Sequence, residues 1–128
     1  VITKNDETTR KLFENEKNII IAPSLKNRKD KLYERDSGFD NVMAKFGEKN
    51  NNTLGVIIDE ILEAENKERG KILARIKQNI KLLKKGKIKV KFLNISEKNK
   101  KYEKDLFSLG IVLGMNTKMA KIASSQDF

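Results

Sequence analysis

The chain has 128 residues, 38% hydrophobic and 36% charged, with a formal net charge of +10 and neither histidine nor cysteine. That length suits one domain with a real core, and the missing imidazoles and thiols remove disulfides, zinc sites and serine or cysteine triads. No stretch approaches the roughly 20 apolar residues of a bilayer span, and no signal peptide is visible.

In chain order, Thr3–Lys17 reads as a helix capped near Asp6 or Thr8, with Leu12 and Phe13 turned inward. Ile19-Ile20-Ile21-Ala22, ended by Pro23, has the continuous apolar character of a strand buried on both faces. A charged loop over 24–37 follows, carrying Arg28, Lys29, Lys31 and Arg35. Gly38–Lys49 is expected to be helical, capped by Ser37 or Asp36, with Phe39, Val42, Met43 and Phe46 on one face. Asn50-Asn51-Asn52 breaks it, and Leu54–Ile58 is a second apolar strand.

Leu62–Glu65 leads into a long helix over Lys67–Lys85, with Ile72, Ile76, Ile80 and Leu83 as its inner stripe. Lys71, Arg75, Lys77, Lys81 and Lys84 are expected to cover its outside, and Gly86 to stop it. Lys87–Ile95 alternates, placing Ile88, Val90 and Phe92 on one face and Lys87, Lys89 and Lys91 on a half-exposed other. A polar loop, a helix over Tyr102–Leu113, a break at Gly114 and a last helix over Lys118–Ser125 complete the chain. The four-residue spacing of Gly110 and Gly114 predicts close helix packing; the segment lacks the ending of a phosphate loop. Helices between short apolar strands imply a parallel sheet, hence an α/β fold of three or four strands with outer helices.

Charge is lopsided. Residues 1–64 hold 11 basic and 12 acidic side chains, whereas residues 65–128 hold 17 and 6. Between 71 and 101, Glu97 is the single acid among 12 Lys and Arg. This favours a polyanionic partner, nucleic acid before membrane. A solvated basic face, in a chain where Lys greatly outnumbers Arg, fits charge alone equally well. The basic loop, with Arg28, Lys29, Arg35 and Ser37 before a helix N-terminus, is a candidate phosphate contact. Its plainer reading is a helix cap among solvated charges. Asp36, Asp40, Asp59 and Glu60 form a conceivable carboxylate metal cluster, although nothing in their spacing demands one.

Three stretches together resemble the RNase P protein component 3 family, the archaeal counterpart of the thirty-kilodalton eukaryotic subunit. They are Arg35-Asp36-Ser37-Gly38-Phe39-Asp40-Asn41-Val42-Met43-Ala44-Lys45, Glu68-Arg69 opening the basic helix, and Asp105-Leu106-Phe107-Ser108-Leu109-Gly110-Ile111-Val112-Leu113-Gly114-Met115 followed by Ala120. Arg10 sits where that family places an arginine, and Asn41 stands where a histidine is usual.

The resemblance implies a partial TIM-type barrel, with residues 1–128 as its C-terminal part and the N-terminal strands absent. It is in keeping with a sequence that opens at Val1, as expected of a fragment, a processed form or a trimmed chain. It implies a cytoplasmic, non-catalytic subunit that supports the catalytic RNA of ribonuclease P in removing the 5′ leader from precursor tRNA. Magnesium would be used by the RNA, with no cofactor of the chain's own. The implied partners are the RNase P RNA, RNase P protein component 2 and, indirectly, precursor tRNA. Open sheet edges add an expected self-association or a chain completing the barrel. The expected RNA contacts are Arg10, Arg28, Lys29, Arg35, Ser37, Lys45, Arg69 and Arg75. The alternatives are a generic basic RNA-binding or ribosome-associated protein, and a carboxylate-based metallophosphoesterase.

Overall fold

The computed structural model describes residues 1–26, 28, 37–84 and 88–125. Strands and helices alternate: β1 (Ile2–Thr3), α1 (Asp6–Asn15), β2 (Ile20–Pro23), α2 (Asn41–Asn50), β3 (Thr53–Ile57), α3 (Ile58–Glu63), α4 (Asn66–Leu83) and β4 (Lys89–Leu93). A 3₁₀ turn at Glu97–Asn99 then leads to α5 (Glu103–Val112) and α6 (Thr117–Ser124). The strands form one parallel sheet in the order β1-β2-β3-β4. This is the expected α/β fold. Among the described residues the sheet is open, and its topology is consistent with part of a (β/α) barrel. β1 is an addition to the sequence reading: two residues are too few to show a period, and Thr3 falls within the expected first helix while Ile2 lies before it.

Register explains the core. Ile21 pairs with Leu54, Leu54 with Val90, and Val56 with Phe92, so these side chains share one face. They join Phe13 of α1, Met43 of α2 and the expected stripe Ile72, Ile76, Ile80 and Leu83 of α4 in one buried cluster. The Phe13 and Phe39 rings lie 5.4 Å apart and tilted by 58°, a favourable aromatic geometry. The sheet's other face is also covered, which accounts for the continuous apolar runs of β2 and β3. There a Cβ on Gly55 would lie 2.8 Å from both Ala22 Cβ and Leu93 Cδ1. Only glycine leaves room for the strands on either side.

Polar side chains fix the helix ends. Asn5, rather than Asp6 or Thr8, caps α1, its side chain accepting the amides of Glu7 and Thr8 at 2.8 and 3.2 Å. At the other end of α1, the Asn50 side chain donates to the Phe13 and Glu14 carbonyls, and that of Asn52 to Glu16. Asn51 between them takes the left-handed conformation, φ 55°, that terminates α2. The asparagine triplet is therefore a fastening between two helix ends as well as a breaker. Of the two glycines expected to pack closely, Gly110 does so, since a Cβ there would sit 3.2 Å from Ala120 Cβ; Gly114 meets nothing within 4 Å and, at φ +103°, serves as the expected break after α5.

Two cations depart from the amphipathic reading. Arg75 does not cover the outside of α4; it is fully buried. Lys91 is only 6% exposed, and its Nζ donates a long 3.5 Å bond to the Ile122 carbonyl of α6. The lysine face of β4 is thus partly roofed rather than half exposed. Gly86, the expected stop of α4, lies outside the described residues.

Candidate nucleic-acid interface

Parallel α/β folds build their sites from the loops at the C-terminal ends of the strands. Here β3 runs directly into α3, so Asp59 and Glu60 fall in that helix's first turn, both buried. Glu60 reaches toward the loop after β2, where Oε2 accepts the Ser24 hydroxyl at 2.5 Å and Oε1 the Leu25 amide at 2.8 Å. Asp59 reaches toward the loop after β4. It accepts the amides of Ile95 and Ser96 at 2.7 and 2.8 Å and the Asn99 side-chain amide at 3.1 Å. Burial pushes the Asp59 carboxyl upward, but the Ile95, Asn99 and Ser96 hydrogen bonds outweigh it and hold the group below the usual carboxylate range.

Adjacent in sequence, the two acids thus serve different loops. Asp40 is occupied elsewhere, capping α2 through the Met43 amide at 2.9 Å, and Asp36 lies outside the described residues. Among the described residues no group of three or more acids is placed to hold a metal ion. The conceivable metal cluster is not assembled from Asp40, Asp59 and Glu60.

The expected contact residues divide sharply. Arg75 donates to the carbonyls of Leu25 and Arg28 at 2.7 and 2.8 Å and pairs with Glu68 at 3.6 Å. Its guanidinium ties the loop after β2 to α4 and presents nothing to a partner. Arg28 binds both Asp6 oxygens at 2.7 Å, and its side chain is 12% exposed. The pair lies over Gly38, where φ is +69° and a Cβ would fall 2.7 Å from Nη2 of Arg28. Arg69 donates to the carbonyls of Ile61, Leu62 and Ala64, satisfying the C-terminal end of α3. Ser37 is buried, with its hydroxyl donating to the Phe39 carbonyl, and does not cap α2; Asp40 does.

Of the eight, Arg10 and Lys45 are exposed, on α1 and α2. Lys29 and Arg35 lie outside the described residues. Cation chemistry in the sequence is the same for a buried arginine fork as for an exposed phosphate ligand. Carbonyls at helix and loop ends decide between them, and no composition signal reports those.

In the basic second half, exposed lysines include Lys67, Lys77 and Lys81 on α4, Lys84 at its C-terminal cap, and Lys98, Lys100 and Lys101 after β4. The second group belongs to the basic run 71–101 of the sequence, within what reads locally as a polar loop. Its available signal was Tyr102, an aromatic directly following lysines.

No known protein-family model matches the chain. Its fold is similar to that of a chain in a cryo-EM structure of archaeal ribonuclease P with mature tRNA, with a TM-score of 0.74 and 21% sequence identity. The likeness covers 94% of this chain and 51% of that one, so the present chain spans about half the neighbour's length. At that identity the likeness establishes a shared parallel α/β architecture. No described helix is long and apolar enough to cross a membrane.

Proposed function

We propose that this chain is a protein subunit of ribonuclease P, of the component 3 type. It binds and supports the catalytic RNA while that RNA, using magnesium, removes the 5′ leader of precursor tRNA. The observation that carries the reading is the fold likeness to a chain of archaeal ribonuclease P over 94% of the present residues. Consistent with it are the basic second half of the sequence, the exposed lysines of α4, and the three stretches that resemble the component 3 family. The engagement of Asp59 and Glu60 with loop amides and a hydroxyl weighs against the metallophosphoesterase alternative.

In this reading residues 1–128 correspond to the C-terminal part of a barrel. The partners are the RNase P RNA, RNase P protein component 2 and, through the RNA, precursor tRNA. The open sheet is completed by a second polypeptide segment or a second copy of the chain. Reconstitution of the RNA with its protein partners, with and without this chain, tests the role. Precursor-tRNA cleavage at low magnesium is expected to rise when the chain is added. Equal cleavage in both reactions overturns the proposal, and equal affinity for unrelated RNA supports the generic binding alternative.

A further inference from the structure

We propose that the loop between β4 and α5 recognises an unpaired RNA base, with Tyr102 stacking on the base and Lys100 and Lys101 holding the phosphates beside it. This rests on the RNA-binding reading above and assigns it a place.

Tyr102 is 79% exposed, more than any other large apolar side chain among the described residues. A scattered exposed aliphatic needs no explanation, but an outstanding aromatic directly after two lysines has the makings of a single-strand stacking platform, and the acids Glu103 and Asp105 lie beyond it in the first turn of α5. Lys100 and Lys101 precede it and are also exposed. Lys98 is paired with Glu63 at 3.5 Å and is left out of the assignment.

The loop is tied down by hydrogen bonds. Asn94 donates to the Asn99 carbonyl at 2.8 Å and accepts the Lys101 amide at 3.3 Å, closing the loop on itself. Asp59 grips the same loop through Ile95, Ser96 and Asn99. The Tyr102 carbonyl accepts the amides of Asp105 and Leu106 at 3.0 and 3.1 Å, so its backbone begins α5 while the ring stands in solvent. Holding the loop in place before a ligand arrives removes much of the ordering entropy from binding. Beside Lys100 and Lys101, though not lined by Tyr102 itself, lies a hollow of about 230 Å³ where Asn94, Ser96 and Ser124 stand among the apolar Phe92, Ile95 and Leu106, with Glu97 as its one acid. Amide, hydroxyl and ammonium groups there can meet base edges and phosphate oxygens. A ring face can be stacked only by a base whose own face is free, which is why the ligand is unpaired RNA rather than duplex.

The test uses the full chain with a fluorescein-labelled oligouridylate and a labelled, perfectly paired two-strand RNA duplex, read by anisotropy. Tyr102→Ala should weaken oligouridylate binding about tenfold, within the range for loss of one stacked base. Affinity for the duplex and the protein's thermal midpoint should stay unchanged, and Tyr102→Phe should bind as the unsubstituted chain does. The sequence has two tyrosines and no tryptophan, so Tyr33→Phe leaves Tyr102 as the only strong intrinsic fluorophore. Its emission should be quenched by oligouridylate. If the chain binds RNA but Tyr102→Ala is silent and no quenching occurs, the loop assignment is wrong while the RNA-binding reading stands. An equal loss on the duplex overturns the preference for unpaired bases. A chain that binds neither RNA overturns both.

Discussion

Asp59 and Ile95, 36 residues apart in sequence, are joined by a 2.7 Å hydrogen bond from the Ile95 amide to the Asp59 carboxylate. With Glu60 holding Ser24 and Leu25, the first turn of α3 fastens the loops that leave the C-terminal ends of β2 and β4. Two acids at a strand end resemble metal ligands in sequence. In the structure they shape the surface that the loops present.

Removing the Asp59 charge should loosen the loop after β4. In Asp59→Asn, one carboxamide oxygen cannot accept all three donors, and its NH₂ group opposes at least one of them. A loss of about 1–3 kcal/mol is expected, read as a lower denaturant midpoint at neutral pH. The sign with pH follows from the depressed folded-state value. Its stabilisation is complete above the ordinary 3.8 of an unfolded aspartate and is lost as pH falls through the lowered folded value. Wild type should therefore lose stability at acid pH faster than Asp59→Asn. Parallel acid profiles would show that the carboxylate contributes nothing as an ion.

Arg75→Ala should destabilise by about 3 kcal/mol or more, because it leaves the carbonyls of Leu25 and Arg28 without their guanidinium donor inside a closed site. Arg75→Lys should rescue little, since one ammonium cannot reproduce a planar fork serving two separated oxygens. RNA affinity of the remaining folded fraction should be unchanged. A variant that folds normally but binds RNA poorly would return Arg75 to the interface.

Two glycines should respond in opposite directions. At Gly55 an added methyl meets Ala22 Cβ at 2.8 Å, an atom fixed to its own backbone, so Gly55→Ala should cost about 1–3 kcal/mol. At Gly70, inside α4, nothing lies within 4 Å, and Gly70→Ala should raise stability by about 0.5–1 kcal/mol. Thermal midpoints of the two variants against wild type decide the matter. A stabilising Gly55→Ala would mean that β2 and β4 do not approach β3 as closely as described.

What the sequence revealed depended on whether one period decided the outcome. β2, β3, β4 and the Ile72–Ile76–Ile80–Leu83 stripe were legible because apolar side chains have one favourable destination. Arg75 and Lys91 were misread because a long cation can face water or reach a carbonyl through a buried stem. The same ambiguity affected Arg28 and Arg69, whose partners sit in a helix cap and an ion pair formed by tertiary contact. Asn50 and Asn52 were recognised as punctuation, but their bonds to the end of α1 span more than thirty residues and leave no local pattern.

Exposed lysines and the half-buried Arg69, committed to backbone carbonyls, make a decisive contrast in salt dependence. Lys77 and Lys81 are exposed on α4 and lie four residues apart, so they project from one side of the helix. Each one that touches RNA phosphate releases condensed counterions, giving a log–log affinity slope of about −0.7 per contact on single strands and −0.9 on duplex. Replacing both with Gln should flatten the slope by about one to two units and weaken binding similarly across RNA sequences. Thermal stability should hardly move, since solvated side chains away from caps and cores contribute little. Arg69→Gln should do the reverse, lowering stability by exposing the end of α3 while leaving the salt slope alone. Titrations of one labelled RNA at several salt concentrations, paired with melting curves, separate the two classes. An unchanged slope in the double lysine variant would move the polyanion surface off α4.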